Sequence, residues 1–82
     1  MNFAKYIVVK RDANAPERAL LFPADLRHVD MLPHGVLAVS AGAWALMPDG
    51  EPLVVAGSTT LNLEPRPQDG RIIGQTLVRG HV

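Results

Sequence analysis

Hydrophobic and polar positions come in short runs separated by turn residues, and the runs differ in period. Phe3-Ala-Lys-Tyr-Ile-Val-Val-Lys10 is rich in aromatic and β-branched residues and predicts a strand. One face carries Phe3, Lys5, Ile7 and Val9, the other Ala4, Tyr6, Val8 and Lys10. Asp12-Ala-Asn-Ala-Pro16 has the residues of a turn, and Ala19-Leu-Leu-Phe22 returns as a second strand, making an N-terminal hairpin. Pro23 cannot donate to a ladder and ends that strand. It can also open a helix, with Asp25 in the first turn and Leu26, Val29 and Leu32 recurring as a buried stripe. Pro33-His-Gly35 closes this helix of about two and a half turns.

Val36 to Met47 and Pro52 to Leu63 predict a longer hairpin around Pro48-Asp-Gly50, a type I turn with Gly in the left-handed position. A three-residue loop sets Met47 against Glu51, Trp44 against Val54, Gly42 against Ala56 and Ser40 against Ser58. One face then holds Leu37, Val39, Ala41, Ala43, Ala45 and Met47 with Leu53, Val55, Gly57, Thr59 and Leu61, and reads as core. The other holds a shallow floor of Ser40, Gly42, Ser58 and Thr60, with Trp44, Leu46 and Val54 beside it. After Glu64-Pro-Arg-Pro67, the Pro67-Gln-Asp-Gly70 segment looks like a helix start, with Ile72, Ile73, Thr76 and Leu77 on one face. A final strand competes with this, because Ile72, Gly74, Thr76 and Val78 also alternate and each helical Gly costs about 1 kcal/mol relative to Ala.

Several of these segments together resemble a group of small phage- and prophage-encoded proteins of unassigned function. The residues that carry the resemblance are Lys5-Tyr-Ile7, Leu21-Phe-Pro23, His28, Val39-Ser-Ala-Gly42, Gly57-Ser58, Leu61, and Arg66-Pro-x-Asp69 before Ile72 and Leu77. The resemblance implies a helix for the last segment, where the group has alanines in place of Gly70 and Gly74. It implies a phage context and no mechanism.

The chain has 82 residues, 48% of them hydrophobic, which predicts a single packed domain (residues 1–82) and excludes a disordered class. The expected architecture is α+β, ordered β-β-α-β-β-α, with at least four antiparallel strands and helices on one face. No apolar run approaches the ~20 residues of a membrane span. Ile7-Val-Val9 is too short for a signal peptide, and the absence of cysteine removes disulfides and thiolate chemistry. These features fit a cytoplasmic protein. Eight basic residues balance eight acidic ones, so no basic excess points to nucleic acid. A net charge of zero also lowers the repulsion between copies.

The candidate chemistry is thin. The small residues of the floor let a helix or second subunit approach closely, or form a shallow ligand surface of Ser40, Gly42, Ser58 and Thr60 with Trp44 for stacking. Asp25 and His28, three apart, are a possible polar pair. His28, His34 and His81 are not spaced as metal ligands, and no Gly-x-Ser-x-Gly elbow or phosphate loop occurs. No cofactor or metal is expected.

Three functions follow. The first is a non-enzymatic accessory protein, a homo-oligomer and most simply a dimer, binding a host or phage protein through an exposed sheet face with Trp44 and Val54. The second is a small-molecule binder using the hydroxyl floor. The third is a hydrolase-like activity of Ser40 or Ser58 with His28.

Overall fold

The computed structural model describes residues 2–79. Its elements are β1 (Ala4–Lys10), β2 (Arg18–Phe22), α1 (His28–Met31), β3 (Leu37–Leu46), β4 (Pro52–Val55) and α2 (Asp69–Arg79). The four strands form an antiparallel sheet in the order β2-β1-β3-β4. The α+β class and the β-β-α-β-β-α order are those the hydrophobic pattern predicts.

β1 is central, and Tyr6, Ile7, Val8 and Val9 are all buried. Because successive side chains in a strand point to opposite faces, these four residues divide between two cores. Tyr6 and Val8 pack with Ala19, Ile72 and Ile73 under α2. Ile7 and Val9 pack with Phe22 and Ala41, joined by Met31, Leu32, Val36, Leu61 and Leu63. The covering is therefore divided: α2 lies on one face, and α1 with the 58–63 loop lies on the other.

The register of the β3–β4 hairpin is the one the three-residue turn implies, with Trp44 opposite Val54 and Ala43 opposite Val55. The left-handed Gly50 (φ +88°) closes that turn, where Met47 N–H donates to Glu51 O. The strand does not run on to Leu63 as expected. β4 stops at Val55 because Ala56 adopts a left-handed conformation (φ +56°) and turns the chain out of the ladder. Residues 58–63 instead close a small loop through a Ser58–Leu63 bridge.

Between β1 and β3 the pairing shifts at Val8/Val9, so that Val8 faces Ser40 and Val9 faces Ala38. Val39 is the extra residue of a bulge. It joins the α2-side core, while Ala38 joins the other. Strict alternation places Val39 with Ala41, and the bulge reverses this.

The first helix is shorter than its periodicity implies. Pro23 to Leu26 form a turn, and α1 spans four residues whose N-terminal flank, Arg27, offers no side-chain cap. The expected stripe of Leu26, Val29 and Leu32 is not the buried one: Leu26 and Val29 are exposed, and His28, Met31 and Leu32 turn inward.

The last segment is a helix, with Ile72 and Ile73 buried as its amphipathic spacing predicts. Pro67 falls where a missing N–H costs nothing. The Asp69 carboxylate reaches back to accept the Arg66 N–H at 2.9 Å, which is half of a capping box.

Candidate functional site

The structure takes the predicted floor apart. Ser40 is fully buried under α2, with its hydroxyl donating to Asp69 Oδ1 at 2.9 Å. A Cβ on Gly42 would lie 2.3 Å from Ala56 O and 2.8 Å from Val55 O, so the chain's own backbone occupies the space a side chain would need. Ser58 is buried in the 58–63 loop, where its Oγ accepts the Leu61 N–H at 3.2 Å and lies 3.3 Å from Thr60 Oγ1. Thr60 itself is exposed and accepts the Val29 N–H at 3.3 Å.

Trp44 and Val54 are half-buried against the core that α2 completes, and Trp44 Nε1 is buried with no hydrogen-bond partner among the described residues. The expected exposed sheet face beside Trp44 is thus covered, because α2 packs on it. Leu46 alone of that group is well exposed, at 53%. Gly70 closely approaches Pro52 O, its Cβ position lying 3.2 Å away, whereas Gly74 faces open space. Of these two glycines, only Gly70 marks a close approach of helix and sheet.

Asp25 and His28 are not a pair. Asp25 lies exposed in the turn before α1, and His28 is buried, with Nε2 2.9 Å from Gly42 O and its ring edge-on to Phe22 at 5.3 Å. His28 thus braces α1 against β3 and does not face Ser40 or Ser58 through any hydrogen bond among the described residues. His81 lies outside the described residues. Among those described, no group of three His, Asp or Glu residues is placed to hold a metal ion, and no helix is long and apolar enough to cross a membrane.

The polar centre that does form was not singled out by the sequence reading. Asp69, fully buried, accepts from Tyr6 Oη at 2.7 Å, Ser40 Oγ at 2.9 Å, and Arg66 N–H and Nε at 2.9 and 3.1 Å. Arg66 also forks onto Glu17, at 2.8 and 3.3 Å. Burial, reinforced by the Asp69 carboxylate, pushes the Tyr6 phenol well above its usual range. The hydrogen bond from Arg66 holds the Glu17 carboxyl below its usual value. The helix-start signature Pro67-Gln-Asp69 was the available signal for part of this. Chemically the network is closed. Each oxygen of Asp69 is occupied by donors from the chain, and it clamps the start of α2 to β1 and β3 rather than presenting a reactive group.

Grooves stay open at both edges of the sheet: a wider one of about 1060 Å³ between β4 and α2, where Glu51, Arg71 and Gln75 are among the lining residues, and a more apolar one at the other edge. This second groove, of about 590 Å³, runs along β2, walled by Leu77 of α2 on one side and by Met31 and Pro33 on the other, with Leu20, Leu21 and Phe22 as its floor. β2 is an outer strand, so half of its backbone groups face this groove. Ala19 N–H points outward and is met by Thr76 Oγ1 at 3.3 Å, which in turn donates to Ile72 O at 3.1 Å. By the alternation of an antiparallel ladder, Leu21 presents its N–H and C=O in the same outward direction.

Comparison with protein-family models, with curated proteins and with solved structures gives no match, so geometry alone carries the functional argument.

Proposed function

We propose that this chain is a non-enzymatic accessory protein of phage or prophage type that acts by binding protein. The binding surface is the β2 edge rather than the Trp44 face, since Ser40 and Trp44 lie under α2 and Ser58 is buried in its own loop. The supporting observation is the apolar groove of about 590 Å³ along an outer strand. Apolar walls above and below an unpaired strand edge match the way extended segments are recognised by strand addition, where backbone bonds give affinity and side-chain pockets give selectivity. The phage-type context rests on the resemblance at Lys5–Ile7, Leu21–Pro23, Val39–Gly42 and Arg66–Asp69 alone. A small-molecule role would draw on the same groove, but the hydroxyl floor first considered for it is closed.

The test is site-directed photocrosslinking in cells, with a photoreactive benzophenone side chain at Leu20 in the groove and at exposed Asn62 as the control. The expected result is a discrete covalent adduct with a defined protein, mapped to the same peptide in replicate, from position 20 and not from 62. Adducts from neither position, or from both equally, would remove the edge as a binding surface.

A further inference from the structure

The occupant of the β2 groove can be named from the strand itself, an inference that rests on the edge being a binding surface. We infer that a second copy of this chain occupies it, β2 pairing antiparallel with β2 of the partner about a two-fold axis through Leu21, so that the two sheets become one.

The backbone phase supports this register. Ala19, Leu21 and residue 23 are the outward-facing positions of the strand and its exit. The Ala19 N–H is already bonded to Thr76 Oγ1, and position 23 is proline, with no N–H to give. Only Leu21 presents both a donor and an acceptor to the groove. With Leu21 opposite the partner's Leu21, the two residues exchange a pair of N–H to C=O bonds. Ala19 then lies opposite the partner's Pro23. The position whose donor is spent meets the position that has none, and no amide N–H of the seam is buried unpaired.

The side chains suit the same arrangement. A strand that slots between α2 above and α1 below is buried on both faces, and such strands read as continuous apolar runs rather than alternating ones. Ala19-Leu-Leu-Phe22 is a run of that kind. Leu21 belongs to the core under α2, and Leu20 and Phe22 belong to the core on the α1 side. Two copies therefore offer each other matching apolar surface on both sides of the seam.

The charges set the direction. Arg18 opens β2, and Asp25 follows its end; both are exposed, and among the described residues neither side chain makes a hydrogen bond or ion pair. Carried past the end of β2, the Leu21-centred register brings Arg18 toward the partner's 23–26 turn, which holds the partner's Asp25. After Phe22 the chain turns toward α1, the face on which Arg18 lies by alternation with Ala19. The symmetry produces this attraction twice, whereas parallel pairing would set Arg18 beside the partner's Arg18. The zero net charge of the chain adds no repulsion to oppose assembly.

The test is the subunit count by native mass spectrometry and sedimentation for wild type, Arg18→Glu, Asp25→Lys and an equimolar mixture of the two variants. Both positions are exposed, so the fold is retained, and far-ultraviolet circular dichroism verifies it. Wild type is expected to be a dimer. Each variant alone sets like charges together twice and should dissociate about tenfold more readily. Mixing the variants restores both attractions, so a heterodimer should form in preference to either homodimer. A monomeric wild type would overturn the self-pairing, as would a dimer indifferent to all three substitution schemes. A monomer whose position-20 photocrosslinks still reach another protein would overturn the self-pairing while leaving the groove reading intact.

Discussion

At the scale of single residues, Asp69 carries more of the structure than any other polar side chain described. Its carboxylate collects donors from β1, β3 and the start of α2, and at full burial the Tyr6 and Ser40 hydroxyls have no water as a substitute. Asp69→Ala leaves the Tyr6 and Ser40 hydroxyls and part of Arg66 without an acceptor, and should cost about 3–5 kcal/mol in urea denaturation. Tyr6→Phe removes one donor while keeping the ring, and should cost about 1 kcal/mol. Glu17, at the rim of the network, makes the acid side measurable. Arg66 lowers its carboxyl pKa in the folded state below the ordinary 4.5. Over the interval between those values the unfolded chain binds more protons, so stability rises with pH there. The contribution is complete above about 4.5 and is lost as pH falls through the lowered folded value. Glu17→Gln should flatten that part of a stability-against-pH curve and leave the rest unchanged. On the alkaline side, the raised Tyr6 pKa predicts stability falling as pH climbs above the ordinary tyrosine value of 10.0, a slope that Tyr6→Phe should remove.

At the scale of elements, the glycines separate positions that require the absence of a side chain from positions that merely lack one. Gly42→Ala drives a Cβ into the carbonyl oxygens of Ala56 and Val55 and should cost about 2 kcal/mol, because backbone has to move. Gly74→Ala, in mid-helix with nothing within 4 Å of the new methyl, should raise stability by about 1 kcal/mol. Thermal and urea unfolding of the two variants, shifting in opposite directions, would check both. The elements that were legible are those whose signal is local: the β1–β2 and β3–β4 hairpins, the Pro48-Asp-Gly50 turn with its register, and α2 through Pro67, Asp69 and the Ile72/Ile73 face. Two features were not. The end of β4 depends on a left-handed alanine at position 56, a conformation that alanine does not advertise. The burial of His28 in place of Leu26 and Val29 depends on Gly42 O and Phe22 arriving from distant parts of the chain. The site suffered most from the Val39 bulge and from α2 landing on the Trp44 face, since alternation along a strand says nothing of what covers it.

At the scale of the molecule, the central strand is covered on both faces, and the two edges of the sheet are unequal. β4 is four residues long, begins with a proline and borders a groove whose lining includes the charged Glu51 and Arg71, whereas the groove that backs β2 is apolar. Order within the sheet should follow the same geography: amides of Ile7 to Val9 in β1 should exchange with solvent last, at the rate set by global unfolding, and those of Leu53 to Val55 by local opening. Hydrogen exchange followed by mass spectrometry or NMR would show whether β1 is the slowest segment. The covering of Trp44 by α2 has a consequence of a different kind. It is the only tryptophan of the chain, and its half-buried indole lies against the core that α2 completes, with a buried N–H that meets no acceptor among the described residues. Such an indole emits at short wavelength and shifts to the red when wetted. Ile72 and Ile73 complete the cluster it packs against, so the emission maximum is an intrinsic gauge of whether α2 is seated on the sheet, readable without any label.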